Sequence, residues 1–147
     1  MRLGISEILI KASKLSKNQE KIDFLRQNYS QPLGTVIKYM LDPNVKFALP
    51  EGAPPYKKND LTGQETRLYS EVRKLYLFLE GCPKNINKIR REALFIEMLE
   101  NVDPNDAELL VAMKDKKLPY KGLSVKLVKE AYPGLIEEEK EVNEQVS

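Results

Sequence analysis

The stretch ISEILIKASKL, residues 5–15, decides the fold class, because its apolar side chains recur at spacings of three and four residues. Such spacing places them on one face of an α-helix, whereas a half-buried strand would alternate apolar and polar residues. Apolar periodicity and capping signals mark six more helical stretches. These lie near residues 16–28, 33–41, 68–79, 83–99, 103–113 and 124–132. The sequence therefore predicts an all-α single domain of about seven helices, spanning residues 1–136.

Two details of this prediction depend on individual residues. Ser16 stands three residues before Gln19, the spacing of a capping box, and this predicts that Ser16 begins the second helix. In the fifth helix the apolar stripe is expected to bury Ile86, Ile89 and Ala93, together with the apolar residues that follow them.

The segment 43–63 differs from the rest of the chain in its prolines and glycines. Asp42 precedes the first of these prolines and is expected to end the third helix, because the residue before a proline is disfavoured in the α region. The segment is predicted to form a structured strap across the helices, with the only extended backbone near residues 44–50.

Composition excludes several classes of protein. The 147 residues contain one cysteine, Cys82, and no histidine, so an internal disulfide is impossible and a thiolate or imidazole metal site is nearly excluded. The first fifteen residues are too polar for a signal peptide or a membrane span. The expected protein is therefore cytoplasmic, with no cofactor, no metal, no membrane partner and no small-molecule substrate.

Charge is distributed unevenly along the chain. Residues 137–147 contain five glutamates and one lysine, so they form an acidic tail that is predicted to be disordered. Residues 1–136 hold 23 basic and 17 acidic side chains, a net charge of +6. A basic body suits a polyanionic partner, and the tail either competes with that partner or keeps the chain soluble.

The segment KDKKLPYKGLSVKLVK, residues 114–129, holds six lysines and one aspartate. It also places a glycine and a serine before the last helix, where free amides favour phosphate. One interpretation is a phosphate-binding turn, and the other is a solvated loop with ordinary surface lysines. The candidate DNA-binding residues here are Lys116, Lys117, Lys121, Gly122, Ser124 and Lys126.

A second basic cluster precedes the apolar run of the fifth helix. Lys84, Lys88 and Arg91 follow one helical face and could track a phosphate backbone. Glu92 and the acidic residues after it fit an ordinary charged helix surface equally well, so both interpretations stay open.

Three stretches carry a resemblance to a known family. They are ISEILIKASKLSKNQEKIDFLRQN (5–28), LGTVIKYMLDPNVKFALP (33–50) and DAELLVAMKDKKLPYKGLSVKLVKEAYPGLI (106–136). Together they resemble the N-terminal DNA-binding domain of ATP-dependent DNA ligases, particularly those of tailed phages. The chain also looks like a short uncharacterised protein family of tailed phages.

The ligase resemblance implies an all-helical domain that grips duplex DNA across the minor groove and backbone. In that family a Gly-containing turn and the following helix start lie near phosphates, which here implies contacts from Lys117, Lys121, Gly122, Ser124 and Lys126. Ligases commonly place a leucine three residues before that glycine, where this sequence has Pro119, so the turn is expected to differ in shape.

No catalytic motif accompanies these features. The K-x-D-G motif of the ligase nucleotidyltransferase does not occur, nor does a P-loop, a dinucleotide fingerprint or a nucleophile elbow. The sequence predicts a non-enzymatic, sequence-tolerant module for double-stranded DNA, acting in the host cytoplasm if phage-encoded. The alternative is an adaptor that docks a phage replication or host transcription protein through the strap and the acidic tail.

Overall fold

The computed structural model describes residues 2–136, which form seven α-helices and one 3-10 helix. The helices are α1 (Ile5–Ser13), α2 (Asn18–Gln27), α3 (Gln31–Leu41), α4 (Arg67–Glu71), the 3-10 helix (Val72–Phe78), α5 (Lys88–Asn101), α6 (Pro104–Lys114) and α7 (Val125–Ala131). Within this part of the chain the β structure is one isolated antiparallel bridge, between Phe47 and Leu79. The all-α prediction is confirmed, and the predicted disordered tail at 137–147 lies outside the described residues.

Helix α6 lies at the centre of the packing and contacts α1, α3 and α5. Leu109 and Leu110 are adjacent in sequence and both buried, so α6 is covered on more than one face. Its start is fixed by Asp103, whose carboxylate accepts a hydrogen bond from the amide of Asn105, with Pro104 at the first helical position.

Helices α5 and α6 form an antiparallel pair joined by two residues. The start of α5 therefore lies beside the end of α6, and Glu92 and Lys114 line the same cleft of about 250 Å³. In contrast, α2 and α7 run in the same direction. Lys21 contacts Gly122 just before α7, and Arg26 donates hydrogen bonds to the carbonyl oxygens of Glu130 and Ala131 at its end.

The predicted start of the second helix is wrong by one residue. Lys17, not Ser16, occupies the N-cap position, and its backbone amide donates to the carboxylate of Glu20 at 3.2 Å. The glutamate takes the place that the sequence pattern assigned to Gln19, so a carboxylate rather than an amide side chain covers the first turn.

The single helix predicted over residues 68–79 divides into α4 and the 3-10 helix. Val72, Leu75 and Phe78 are all buried, a period of three that matches the three residues per turn of a 3-10 helix. Apolar residues at 68, 72, 75 and 79 fit an α-helical period too, which is why the sequence pattern did not separate the two.

The start of the fifth helix also differs from the prediction. Helix α5 begins at Lys88 with Asn87 as N-cap, and Ile89 in its first turn is 80% exposed. Ala93 is exposed as well, whereas Phe95 is buried edge-on against Phe78. The predicted stripe is therefore partly correct: Leu99 is buried as expected, whereas packing against the 3-10 helix leaves Ile89 and Ala93 outside the core.

The strap prediction is confirmed, because hydrogen bonds fix residues 46–59 to the helices. The backbone carbonyl oxygen of Pro50 accepts from Lys114, and the amide of Gly52 donates to Asp115. Further along, the amide of Lys57 donates to Glu100 at the end of α5. The strap therefore follows α5 from its start to its end.

Candidate nucleic-acid interface

The predicted basic turn is the connection between α6 and α7, and its first lysines are used inside the protein. The side chain of Lys114 is buried and donates to the carbonyl oxygen of Pro50 and to Asp115. Its charge is therefore paired with a carboxylate and holds the strap.

Lys116 is bound to two backbone carbonyl oxygens of the protein. Its ammonium group donates to the backbone carbonyl oxygens of Tyr39 at 2.5 Å and Asp42 at 2.8 Å, at the C-terminal end of α3. Its backbone has a φ of 61°, the left-handed region that non-glycine residues rarely adopt. Burial lowers the pKa of Lys116, opposed by the nearby Asp42. Lys116, predicted to contact DNA, therefore caps the C-terminal end of α3 instead.

Gly122 packs against the protein's own backbone. A Cβ atom at this position would overlap the carbonyl oxygen of Ser13, the last residue of α1. The carbonyl oxygen of Gly122 also accepts a hydrogen bond of 2.7 Å from the ammonium group of Lys21. The glycine therefore permits a close approach of the α1 backbone, which occupies the space beside it.

Ser124 is the N-cap residue of α7. Its hydroxyl oxygen accepts a hydrogen bond from the amide of Leu127, which satisfies one of the free donors at the helix start. Helix α7 has only seven residues, so its dipole is short. The remaining predicted residues of this connection, Lys117, Lys121 and Lys126, are exposed.

The second predicted cluster divides in the same way. Lys84 and Lys88 are exposed, whereas Arg91 is half-buried and its Nε donates to the backbone carbonyl oxygen of Leu77 at 2.9 Å. Arg91 therefore ties α5 to the 3-10 helix. Of the nine predicted residues, the exposed lysines are the ones whose ammonium groups can reach a partner.

The exposed lysines of the two predicted clusters lie at the same end of the helical packing. The connection 115–124 contacts the C-terminal end of α1 through Gly122 and that of α3 through Lys116, and it directly follows α6. The start of α5 lies beside the end of α6. This surface, called the basic end here, comprises the exposed Lys14, Lys17, Lys84, Lys88, Lys117, Lys121 and Lys126.

Two members of the basic end, Lys14 and Lys17, are absent from the sequence-based prediction. Lys14 belongs to the basic end because Gly122 packs on the adjacent residue Ser13. Lys17 belongs to it because it is the N-cap residue of α2, which follows α1 directly. The available signal is the regular recurrence of lysine at positions 11, 14, 17 and 21. Linking it to the distant turn requires the tertiary contact.

Acidic side chains collect at the opposite end, where α1 and α6 begin. Asp106 is fully buried there, and its Oδ1 accepts from the amide of Ser6 at 3.0 Å, while Oδ2 has no hydrogen-bond partner among residues 2–136. Burial raises the pKa of Asp106 to about 6, opposed by the Ser6 hydrogen bonds and reinforced by Asp103 and Glu7. Glu7 and Asp106, in the first turns of α1 and α6, also complement the dipoles of these two helices.

Two further findings concern the described part of the chain, residues 2–136. None of its helices combines the length and apolar character needed to cross a membrane. None of its clusters of Cys, Asp or Glu side chains reaches the three ligands that would hold a metal ion.

Comparison with known proteins adds one match. The model of a protein family described as a family of unknown function (DUF6433) matches residues 8–120, well over half of the chain. The matched segment runs from α1 to the connection after α6 and ends before Gly122 and α7. The search of curated proteins finds no match.

Proposed function

The chain belongs to the family of unknown function DUF6433, and we propose that it is a non-enzymatic module that binds duplex DNA through its basic end. The observation that carries this proposal is the contact of Gly122 with Ser13, reinforced by the hydrogen bond from Lys21, 101 positions away in sequence. It joins lysines from the two ends of the chain into one surface.

The chemistry of this surface favours backbone contacts over base recognition. Lysine ammonium groups are flexible point charges that suit phosphates, and DNA offers a dense row of them. Arg91, whose planar side chain could otherwise make two hydrogen bonds to a base edge, donates from Nε to the backbone carbonyl oxygen of Leu77, whereas its neighbour Arg90 is exposed. Two acidic side chains near the basic end are paired, Asp42 with Lys38 and Asp115 with Lys114, so these two carboxylates subtract little from the positive potential of the basic end.

The resemblance to the DNA-binding domain of phage DNA ligases supports the same ligand. In that family the Gly-containing turn lies near phosphates, and here the corresponding Gly122 packs on α1. The proposal therefore gives the phosphate contacts to the lysines around the glycine, Lys117, Lys121 and Lys126, and not to Gly122 or Ser124.

The test measures binding of a labelled generic duplex between about 50 mM and about 200 mM salt, because lysine–phosphate contacts release counterions. The double variant Lys121→Glu with Lys126→Glu should bind more weakly whatever the base sequence. It should also lower the slope of log affinity against log salt by about 2, since each phosphate contact contributes about 0.9.

The matched control is Lys57→Glu with Lys58→Glu. These lysines are exposed on the strap, where it contacts Glu100 at the end of α5 away from the basic end. The control makes the same change in net charge, so equal weakening in both double variants would mean that only total charge matters. Absence of duplex binding at low salt would refute the proposal.

The adaptor hypothesis remains a prediction. The hydrogen bonds of Gly52 and Lys57 to Asp115 and Glu100 account for the conformation of the strap without a partner. Recovery of one defined protein by pull-down after nuclease treatment would favour the adaptor. A phage origin and the lack of catalytic activity likewise stay predictions.

A further inference from the structure

A groove of about 330 Å³ lies between α3 and the segment formed by α4 and the 3-10 helix, and the described residues that line it include none of the lysines of the basic end. Its volume falls within the range of small-molecule and cofactor sites. The sequence pattern places tyrosines on or beside apolar stripes and so predicts core or rim positions for them. Tyr39, Tyr69 and Tyr76 are partly buried, which agrees with a rim position, and all three line this groove.

The two helix types explain how the walls form. On α3, Pro32, Thr35 and Tyr39 are spaced by three and four residues and share one face, while the opposite face enters the core. In the 3-10 helix the three-residue turn brings Arg73 and Tyr76 to one side. The groove thus presents aromatic rings on both walls.

The charge around the groove is positive. Arg73 is exposed, and it is the charged residue among the described residues that line the groove. At Tyr69 the guanidinium group of Arg2 lies over the ring, 3.5 Å from its centroid. Aromatic rings combined with a free guanidinium group suit a ligand that is flat at one end and anionic at the other.

We propose that this groove binds an unpaired nucleotide of a single-stranded nucleic acid, with its base against the tyrosine rings and its phosphate at Arg73. The proposal shares its ligand class with the proposed function but uses a different surface. A duplex held at the basic end and a strand in the groove are separate binding events, and either can fail without the other.

The test uses fluorescence anisotropy of a labelled short oligothymidylate. Arg73→Gln and Tyr76→Leu should each weaken its binding by about tenfold, since loss of one stacked base or one charged phosphate contact has roughly that effect. The matched control is Lys74→Gln, which removes the same charge from the neighbouring residue, outside the groove lining, and should change binding little.

The variant Lys121→Glu with Lys126→Glu separates the two sites. It should weaken duplex binding and leave the oligothymidylate affinity within about twofold of the parent. If oligothymidylate binding is lost in this variant and kept in Arg73→Gln and Tyr76→Leu, the strand binds at the basic end and the proposal is overturned.

Two other results would also overturn the proposal. One is no binding of oligothymidylate to the unaltered protein. The other is displacement of the oligonucleotide by a polyproline peptide that binds more tightly, because an aromatic groove can also take a proline-rich segment. Urea unfolding of each variant should give a free energy of unfolding close to that of the parent, so that weaker binding by Tyr76→Leu is not caused by loss of folding. Arg73 is exposed, so Arg73→Gln tests the proposal without a change in core packing.

Discussion

Replacing Asp106 by asparagine should remove a pH-dependent loss of stability that is built into the fold. Asp106 is fully buried at the start of α6, where one carboxylate oxygen accepts from the amide of Ser6 and the other has no partner within the described part of the chain. Asparagine keeps an oxygen for Ser6 and cannot ionise. The polar atom that replaces Oδ2 is still unpaired, but its cost does not depend on pH.

The magnitude follows from the pKa. Burial raises the pKa of Asp106 from 3.8 to about 6, a shift of about 2 pH units, and each unit corresponds to about 1.4 kcal/mol. Between these pH values the folded state keeps a proton that the unfolded state has lost. The free energy of unfolding therefore decreases as the pH rises from about 4 to about 6, by about 3 kcal/mol in total from this residue. The contribution is fully present below pH 3.8 and lost above the folded pKa.

The assay is urea unfolding of the parent and Asp106→Asn at about pH 4 and at about pH 7. Other carboxylates titrate in both proteins and cancel in the difference. The stability of the variant relative to the parent should rise by about 3 kcal/mol between the two pH values. A difference that is the same at both pH values would refute the reasoning, because Asp106 would then be ionised without penalty.

Three further substitutions test the assignments made at the basic end. Lys116→Ala should lower the free energy of unfolding by about 2 kcal/mol through loss of its charged hydrogen bonds, whereas Lys117→Ala should change it little in the same urea titration. Gly122→Ala should cost about 3 kcal/mol and weaken duplex binding, since the new methyl group overlaps the carbonyl oxygen of Ser13; unchanged stability would contradict the close contact. Ser124→Ala should lower the free energy of unfolding by about 1 kcal/mol and leave the duplex affinity unchanged, because Ser124 caps α7. A loss of duplex affinity would instead indicate that Ser124 contacts DNA.

The sequence predicts most helix ends correctly where local rules act alone, although α2 begins one residue later than predicted. Asp103 and Ser124 cap the helices that follow them, and Asp42 ends α3 before proline, as expected. These features depend on side-chain groups within three residues of the helix end, so neighbouring sequence determines them.

The prediction fails where tertiary packing chooses among faces. Ile89 is apolar and periodic but exposed, because the pairing of Phe95 with Phe78 orients α5 toward the 3-10 helix. The sequence also does not show that the helical segment changes from α4 to the 3-10 helix at Val72. An apolar period of three or four residues fits both helix types, so tertiary packing decides between them.

For the candidate interface, the sequence located the lysines but not their separate uses. Lys116 and Lys117 are neighbours with identical side chains, yet one caps α3 and the other is exposed. Only the left-handed backbone at Lys116 and the position of the end of α3 distinguish them. The tyrosine groove was missed for a related reason, because its two walls come from segments more than thirty residues apart.

The contacts of α1 and α2 with the region after α6 also affect when the protein can fold during synthesis. Ser6 needs Asp106, Lys21 needs Gly122, and the carbonyl oxygen of Leu25 accepts from the hydroxyl of Tyr132, 107 positions later. The first two helices therefore leave the ribosome long before their partners exist. The packing of α2 against α7 can therefore be completed only after Tyr132 has left the ribosome.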